Sequence, residues 1–553
     1  MMDASKYRVG YFPVDAKYNK WVEKDHIEKP PVWCSVDMRD GNQSLVIPMS
    51  LEEKLEYYNT LLAVGFKEIE VGFPAASETE YEFLRTLIDQ NRIPEDVTVQ
   101  VLTQCREHII RKTFDACKGA PSAIIHFYNS VSVTQREQVF KKSKEEIKQI
   151  AVEGAKLVKK LAAEYEGNFR FEYSPESFTG TEPEYALEVC NAVLDVLEPS
   201  EENNVIINLP VTVEMSSPHV YASQVEYMSK NLHCRENVIV SLHPHNDRGT
   251  AVADCELGML AGGDRVEGTL FGNGERTGNA DILTVAMNLF SHGVDPQLDF
   301  SDMPKVVEMY EKFTDLKVSP RQPYGGSLVF AAFSGSHQDA IAKGMHHIET
   351  NHPDKWSCPY LLIDPHDVGR EYEADVIRIN SQSGKGGVAY VLETNYGYDI
   401  PKKMREEIGY LMKHISDEAH KELSPAEIHR IFQQQYVNRK DKISIEDATF
   451  SRGENDIMKV SIEATIYGEH LSLKGEGNGR LDAVTTALRS SHYSLEYDFV
   501  TYHEHALESE SNSRAASYVA ISKDGETFWG VGIHNDIIYA SINALISAIN
   551  RAF

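Results

Sequence analysis

The sequence lacks any uninterrupted apolar run of about 18 residues, the length at which a membrane-spanning helix becomes a candidate. It is also poor in positive charge: 55 lysines and arginines stand against 84 aspartates and glutamates, which gives a formal net charge of −29. A nucleic acid or an anionic membrane surface would repel such a chain. We therefore expect neither a nucleic acid nor a membrane among its partners.

Cysteine is scarce, and its seven occurrences include no C-x-x-C pair. An odd, unpatterned set of cysteines in a long chain indicates reduced thiols rather than a disulfide framework. The N-terminal segment MMDASKYRVGYFPVDAKYNKW is polar and mixed in charge, and it resembles neither a signal peptide nor a transit peptide. These features together predict a cytoplasmic location.

A chain of 553 residues is too long for one ordinary core, so about two to four domains are expected. From Val32 to His292, short β-like runs alternate with helical patterns. Eight such runs begin at Val32, Lys67, Val97, Ser122, Phe169, Asn204, Val238 and Asp264. Eight βα units predict a (β/α)8 TIM barrel, and an open doubly wound sheet is the competing α/β fold. The predicted barrel domain, with an N-terminal extension, covers residues 1–305.

The first helix of the barrel is well marked in the sequence. Ser50 and Glu53 form a capping box at its start. Apolar residues at helical spacing predict its buried face: Leu51, Leu55, Tyr58 and Leu62.

The pattern changes after Pro304. Residues 306–436 are predicted to form a small α/β linker region, and residues 437–553 to form a duplicated α+β domain. Two segments, beginning at Lys459 and Ala516, each show a strand, a turn, a strand, Gly-x-Gly and a helix. Such a duplication is more typical of regulation or dimerisation than of catalysis. The polar segment HEHALESESNSRA, from His503, is predicted to be a loop between the two copies.

Unusual polar residues gather at the predicted strand ends, where TIM barrels hold their active sites. His243 and His245 end the seventh run, and residues at i and i+2 on a strand share one face. Asp40 ends the first run, which neighbours the eighth in a closed barrel. Two imidazoles and a carboxylate predict a divalent metal site, whereas exposed or packing histidines are the alternative reading. Arg39 would then be a fixed cation that stabilises an oxyanion beside the metal, or else a simple ion pair.

Three further segments are ambiguous on their residues alone. Glu176, in SPESFTGTE, is either a functional acid or a helix-capping residue. The glycines of GNGERTGN, from Gly272, allow a close approach of backbone to a ligand. The segment SGKGG, from Ser383, lacks P-loop spacing but could hold a phosphate of a large cofactor, with a flexible loop as the alternative.

Taken together, five motifs resemble the 2-isopropylmalate synthase family in its longer form, one of the acyl-CoA Claisen-condensing enzymes. They are MRDGNQS, IEVGFPAAS, SPESFTGTE, HPHNDRGTAVAD and GNGERTGNAD. Asn42 stands where the more common motif has Glu, and the Asn form looks like the long-form branch. The resemblance implies condensation of acetyl-CoA with 3-methyl-2-oxobutanoate, followed by thioester hydrolysis, with leucine as a feedback inhibitor.

The resemblance also implies roles for individual residues. The implied metal ligands, for Mg, Mn or Zn, are Asp40, His243, His245 and Asn279. The implied catalytic residues are Arg39, Glu176, His337 and Tyr372, and Glu70 would orient Arg39. The implied substrate-binding residues are Leu102, His126, Tyr128, Asn129, Ser174 and Thr212. Because the family brings His337 and Tyr372 over the neighbouring subunit's barrel, the resemblance implies a homodimer.

In the C-terminal domain, GEGNGRLDA resembles the effector loop of the family. The implied regulatory residues are Gly475, Gly477, Asn478, Gly479, Asp482 and Ala483, and a tight strand-to-helix turn without a ligand is the alternative. Rival functions are citramalate synthase, homocitrate synthase, a related lyase, or a non-catalytic amino-acid sensor on the same scaffold. Apolar Leu102 beside Tyr128 favours a branched aliphatic substrate over one with a second carboxylate.

Overall fold

The computed structural model describes residues 2–8, 10–332, 334–372, 385–419, 423–453, 456–507 and 513–553. They form two compact units. The first comprises Met1–Val329 and Ile363–Glu371, and the second comprises Phe330–Leu362 and Tyr372–Phe553. The predicted boundary after residue 305 falls inside a helix of the first unit.

The first unit is built around a closed barrel of eight parallel strands, as predicted. The strands are β1 Val32–Ser35, β2 Glu68–Gly72, β3 Thr98–Gln104, β4 Ala123–Ser130, β5 Phe169–Glu176, β6 Val205–Val211, β7 Val238–Pro244 and β8 Arg265–Gly268. Each strand pairs with the next, and β1 closes the barrel on β8, with Val32 opposite Arg265 and Ser35 opposite Gly268. This closure brings the end of β1 beside the end of β8, as the metal prediction requires.

Nine helices of eight residues or more are described in this unit. They are α1 Leu51–Val64, α2 Glu78–Asp89, α3 Glu107–Cys117, α4 Lys144–Glu164, α5 Pro183–Leu197, α6 Pro218–Asn231, α7 Ala251–Leu260, α8 Ile282–Ser291 and α9 Met303–Thr314. The predicted capping box of α1 is present: the Ser50 side chain accepts from Glu53 N, and the Glu53 side chain accepts from Ser50 N.

The predicted buried face of α1 is correct at Tyr58 and wrong at the other three residues. Leu51, Leu55 and Leu62 are only partly buried. The fully covered positions are Lys54, Tyr57, Tyr58, Leu61 and Val64. Lys54 explains the error, because its ammonium lies 2.5 Å from a Glu80 carboxylate, which allows a charged residue to occupy a core-facing position.

The barrel interior is polar rather than aliphatic. Arg265 is fully buried, and its guanidinium contacts Glu68 Oε2 at 2.6 Å, Glu267 Oε1 at 2.6 Å and Gln100 Oε1 at 2.7 Å. Breaking one partner of a buried ion pair typically costs about 3–5 kcal/mol. These interior side chains are therefore held in fixed positions inside the barrel.

The second unit begins with helices. They are α10 Gly335–Asn351, α11 Lys385–Tyr396, α12 Lys402–Ala419 and α13 Pro425–Tyr436. No strand is present in the linker among the residues that the structure describes, so the predicted α/β character differs from the helical structure found there.

The C-terminal domain contains two copies of one β-β-β-α arrangement. The elements are β9 Ile443–Arg452, β10 Met458–Ile466, β11 Glu469–Gly477 and α14 Arg480–Arg489, then β12 Asp498–Ala506, β13 Ala515–Lys523, β14 Glu526–His534 and α15 Ile537–Ala552. Each copy forms a three-stranded antiparallel sheet, and α14 and α15 share one apolar core. The duplication is confirmed, but each copy has a first strand that the sequence reading missed.

The predicted loop from His503 is partly wrong. His503 to Ala506 form the end of β12, and residues 508–512 lie outside the described part of the chain. β12 is an edge strand, and its exposed side accommodates charged and histidine residues that weaken the strand pattern.

Within the described residues, no helix has both the length and the apolar character needed to cross a membrane. All seven cysteines lie in described segments and none forms a disulfide.

Candidate functional site

A cavity of about 370 Å³ opens at the C-terminal ends of the barrel strands. Ten of the residues predicted for the site line this cavity: Arg39, Asp40, Leu102, His126, Tyr128, Ser174, Glu176, Thr212, His243 and His245. These residues come from distant parts of the sequence. Closure of the barrel brings them into one space.

Asp40, His243 and His245 form a compact cluster in this cavity. A π-helical turn at Asp37–Gly41, directly after β1, carries Asp40, and the end of β7 carries the histidines. Asp40 Oδ2 lies 3.4 Å from His243 Nε2 and 3.7 Å from His245 Nε2. Among the described residues, Asp40 Oδ2 is buried without a well-formed hydrogen bond. A carboxylate oxygen and two imidazole nitrogens that converge in this way fit a divalent cation.

Asn279 offers a buried amide oxygen that is a candidate further ligand for such a cation. Its Nδ2 donates to Asn273 O at 3.0 Å, and its Oδ1 is buried with no partner in the described structure. The backbone of Asn279 pairs with that of His245. Gly278 makes this approach possible, because its φ is +95° and a Cβ there would lie 1.9 Å from Gly272 O.

Arg39 is held by two carboxylates beside this cluster. Its Nε donates to Glu70 Oε2 at 2.6 Å, and its Nη1 lies 2.8 Å from Asp40 Oδ1. Burial opposes the charge of Asp40, but the Arg39 guanidinium and His243 outweigh it, and the pKa of Asp40 falls below its ordinary value. The site therefore presents a fixed cation and a fixed carboxylate side by side.

The two histidines of the cluster differ electrostatically. Burial would lower the pKa of His243, but Asp40 and Glu267 raise it to about 9. Burial and the neighbouring His243 lower the pKa of His245 to about 4. A bound cation would have to displace a proton from His243 but not from His245.

A directed chain of hydrogen bonds fixes His126. Its Nδ1 donates to Glu70 Oε1 at 2.8 Å, and in the neutral imidazole its Nε2 then accepts from Ser174 Oγ at 2.7 Å. Ser174 Oγ in turn accepts from Asn208 Nδ2 at 3.0 Å. Asn208 was not predicted from the sequence, although it lines the cavity and its buried Oδ1 has no partner in the described structure.

The remaining predicted residues of the barrel divide into two groups. Glu176 accepts from Ser130 Oγ, Thr212 Oγ1 accepts from Ser177 N at 2.9 Å, and Tyr128 OH accepts from Gln104 Nε2 at 3.1 Å, all at the cavity. Asn129 instead accepts from Tyr173 OH at 2.9 Å and donates to Ile147 O of α4 at 3.4 Å. The alternation of a strand turns Asn129 outward when Tyr128 faces inward, so the structure does not bring Asn129 to the cavity.

His337 and Tyr372 belong to the second unit. His337 lies exposed near the start of α10, and its ring stacks on that of Tyr360 with centroids 4.0 Å apart. Tyr372 is half-buried. The first two residues of the SGKGG segment, Ser383 and Gly384, lie outside the described residues, so the phosphate-binding prediction has no structural counterpart here.

Close packing against helix α14 requires glycine at two positions of the predicted effector loop. A Cβ on Gly475 would lie 2.3 Å from Ala483 O, and one on Gly477 would lie 2.6 Å from Ala483 N. Gly530 and Gly532 meet α15 in the same way, so both copies use glycines to seat a helix directly on a strand. Of the other predicted residues, Ala483 is buried in the core and Asn478 N donates to Asp482 Oδ2 at 2.8 Å.

A second cavity, of about 750 Å³, lies between the two copies. Gly479 and Asp482 are the two predicted effector residues that line it. The remaining lining residues are Arg480, Leu481, Thr485, Arg489, Asp498, Phe499, Tyr502, Glu504, Ile537, Ile538, Ser541 and Ile542. No single sequence motif could identify this set, because both halves of the repeat contribute to it.

Comparison with known proteins gives three family matches along the chain. Residues 30–309 match the HMGL-like family, residues 327–393 the alpha-isopropylmalate synthase post-catalytic domain-like family, and residues 422–553 the LeuA allosteric (dimerisation) domain. The 2-isopropylmalate synthase of Desulfitobacterium hafniense is 63% identical over 551 residues, covering 100% of this chain and 98% of that protein. The 2-isopropylmalate synthase of Helicobacter hepaticus is 60% identical over 560 residues, covering 100% of both.

Proposed function

This chain belongs to the 2-isopropylmalate synthase family, and we propose that it condenses acetyl-CoA with 3-methyl-2-oxobutanoate. The acetyl methyl group loses a proton, and its carbon bonds to the ketone carbon of the oxo acid. The ketone oxygen becomes a hydroxyl group. Water then cleaves the thioester, which releases CoA and gives 2-isopropylmalate.

The observation that carries this proposal is the meeting of Arg39 with the Asp40, His243 and His245 cluster in one cavity of about 370 Å³. An α-oxo acid presents a carboxylate and a ketone oxygen on adjacent carbons, so both can approach such a cluster together. A divalent ion held by Asp40, His243, His245 and Asn279, whether Mg, Mn or Zn, would supply Lewis acidity toward the ketone oxygen.

Arg39 stabilises the negative charge that develops on the ketone oxygen. Its guanidinium is oriented before substrate binds, since Glu70 and Asp40 hold it at 2.6 and 2.8 Å. A donor fixed in this way costs no reorganisation during the reaction. Glu176, which accepts from Ser130 Oγ at the cavity wall, serves as the acid that protonates the developing alkoxide.

We assign the remaining proton transfers to His337 and Tyr372 of the second unit. The imidazole of His337 suits removal of the acetyl methyl proton near neutral pH. The family resemblance implies that these residues act at the neighbouring subunit's barrel, and the match of residues 422–553 to a dimerisation domain supports a homodimer.

The walls of the cavity favour a branched aliphatic side chain. Phe73, Leu102 and Pro210 supply apolar surface. A second substrate carboxylate, as in 2-oxoglutarate, would need a cation. Both arginines that line the cavity are already engaged: Arg39 by Glu70 and Asp40, and Arg276 by Asp247 at 2.9 Å. This pairing supports 3-methyl-2-oxobutanoate over the homocitrate-type substrate.

We further propose that leucine binds the cavity between the two C-terminal copies. Arg480 and Arg489 offer partners for a carboxylate, and Asp482 and Glu504 offer partners for an ammonium group. Ile537, Ile538 and Ile542 supply an apolar wall for a branched side chain. Inhibition then requires that leucine bind two states of the enzyme with different affinity.

The test of the reaction is CoA release from acetyl-CoA with a panel of 2-oxo acids, measured with and without a chelator. We expect a preference for 3-methyl-2-oxobutanoate that the chelator abolishes and an added divalent ion restores. A preference for pyruvate or 2-oxoglutarate would overturn the substrate assignment and leave the mechanism intact. No CoA release with any oxo acid would overturn the proposed function.

A further inference from the structure

Glu267 stands directly behind one of the two histidines of the ligand cluster. It is fully buried on β8, and its Oε2 lies 2.6 Å from His243 Nδ1. Its Oε1 accepts from Arg265 Nη1 at 2.6 Å and from Gln100 Nε2 at 2.9 Å. Oε2 also accepts from Asn208 Nδ2 at 3.4 Å. Both oxygens are thus fixed by donors from four different strands, so the carboxylate has little freedom to turn.

This arrangement determines the tautomer of His243, and therefore which ring nitrogen offers a lone pair to the cluster. A carboxylate only accepts hydrogen bonds, so the proton of the neutral imidazole must lie on Nδ1. Nε2 then carries the lone pair, and it faces Asp40 Oδ2 at 3.4 Å.

His245 has no comparable support. Its Nδ1 is buried without a hydrogen-bond partner in the described part of the chain, although its Nε2 also faces Asp40 Oδ2, at 3.7 Å. The two histidines are therefore not equivalent. The structure fixes the tautomer and the ring orientation of one of them and not of the other.

We propose that Glu267 is a positioning residue that holds His243 as an Nε2 ligand and thereby sets the affinity of the site for its divalent ion. This inference rests on the proposed function, because it assumes that the Asp40, His243 and His245 cluster binds a metal. Partners that orient a metal-bound histidine in this way typically change metal affinity by about 10- to 100-fold when they are removed.

The test measures metal binding without turnover. The full-length protein is stripped of metal and titrated with Mn²⁺, and free Mn²⁺ is quantified by electron paramagnetic resonance. We expect Glu267→Gln to raise the Mn²⁺ dissociation constant by about 10- to 100-fold, and His243→Ala to raise it further.

Glu68→Gln is the matched control. Glu68 is also a buried partner of Arg265, with its Oε2 2.6 Å from Arg265 Nε, but it has no contact with His243 among the described interactions. We expect this variant to bind Mn²⁺ like the parent protein. If Glu267→Gln and Glu68→Gln weakened Mn²⁺ binding equally, the loss of any charge in the barrel interior would have the same effect. That result would overturn the inference.

A second variant covers the case in which Glu267→Gln does not fold. Glu267→Asp keeps the charge but withdraws the acceptor from His243, so we expect weaker Mn²⁺ binding at unchanged net charge. Unchanged affinity in the folded Glu267 variant would overturn the inference while the metal site stands. Parent-like Mn²⁺ binding by His243→Ala would instead overturn the proposed metal site itself.

Discussion

At the scale of single residues, Arg39 depends on a geometry that only a guanidinium provides. Its Nε and Nη1 engage Glu70 and Asp40 separately. A lysine ammonium is a point charge on a flexible stem and cannot make both contacts in the same orientation. We expect Arg39→Lys to lower kcat by about 10²- to 10³-fold, the usual effect of losing a fixed oxyanion donor.

The measurement is kcat at saturating acetyl-CoA and oxo acid. Arg170→Lys is the control, because Arg170 pairs with Glu68 at 2.5 Å and does not line the cavity. We expect the control to keep the parent kcat. A parent-like kcat for Arg39→Lys would show that charge alone suffices and would contradict the proposed role of the fixed guanidinium.

Strand alternation explains which site residues could be predicted from the sequence. Asp40, His243 and His245 are conspicuous because polar residues at strand ends are unusual in a buried run. Asn129 was assigned through the resemblance, yet it neighbours Tyr128, and adjacent strand residues cannot both face inward. Glu267 was missed because its partner His243 lies on another strand, and only the barrel register brings them together.

At the scale of elements, helix α7 begins beside two buried carboxyl groups. Glu214 accepts from Arg248 N and Thr250 Oγ1, and Asp254 lies next to it. Burial, and then the neighbouring Glu214, raise the pKa of Asp254 to about 9. In the unfolded chain this pKa returns to about 3.9.

The folded state therefore holds one more proton than the unfolded state between roughly pH 4 and pH 9. Stability due to this group is complete at low pH and is lost as pH rises through that window, by up to about 1.4 kcal/mol per pH unit. We expect Asp254→Asn, which cannot ionise, to raise Tm above the parent by a margin that grows from about pH 5 to about pH 8.

Thermal unfolding across this pH range checks the expectation, with Asp354→Asn as the control because Asp354 is exposed. A Tm difference between Asp254→Asn and the parent that does not change with pH would show that Asp254 ionises normally in the folded protein.

Substitutions at two glycines of the C-terminal domain test packing and ligand binding separately. A Cβ on Gly475 would meet the backbone of α14 at 2.3 and 2.4 Å, whereas a Cβ on Gly479 meets nothing within 4 Å. We expect Gly475→Ala to destabilise the protein by about 1–3 kcal/mol through overpacking. Gly479→Ala should cost no more than about 1 kcal/mol, the usual effect of alanine at a helix N-cap.

The measurements are denaturant unfolding and inhibition by leucine. Because Gly479 lines the cavity between the copies, we expect Gly479→Ala to weaken inhibition without a matching loss of stability. Unchanged inhibition in Gly479→Ala would contradict the proposed leucine site, and a fully stable Gly475→Ala would contradict the packing role of Gly475.

At the element scale, regular sequence patterns predicted the strands of the barrel. The errors in α1 and β12 arose where charged or histidine residues occupy positions of a regular element. The eight barrel strands lie within a residue or two of their predicted starts because each is a short buried run that contains apolar residues and is bounded by polar segments. The buried face of α1 was predicted incorrectly because a charged residue, Lys54, occupies a core-facing position, where it pairs with Glu80. The end of β12 was mistaken for a loop because its histidines and glutamate lie on an edge strand.

At the scale of the whole molecule, the sequence could predict the units but not their association. Local periodicity is sufficient for a TIM barrel and for a duplicated domain. Association between subunits depends on surfaces that no local pattern specifies. His337 and Tyr372 stand in the second unit, and our assignment of them to the neighbouring subunit's barrel is a proposal about the dimer.

Complementation between two inactive variants tests that statement. His245→Ala disables the barrel site, and His337→Ala disables the residue assigned to the neighbouring barrel, so each homodimer should be inactive. In a heterodimer, one barrel would lack both His245 and a functional His337 from its neighbour, and the other barrel would have both residues. Random exchange in a symmetric dimer makes half of the dimers heterodimers with one working site each, so we expect recovery of about one quarter of the parent activity.

The result depends on whether His337 acts within its own subunit or across the interface. If it acted within its own subunit, every barrel in the mixture would lack one essential residue, and no activity would return. Subunit exchange is therefore confirmed separately, with two differently tagged chains that are recovered as a mixed dimer. Mixed dimers without activity would contradict the assignment across subunits, whereas recovery near one quarter would require that each active site be built from two chains.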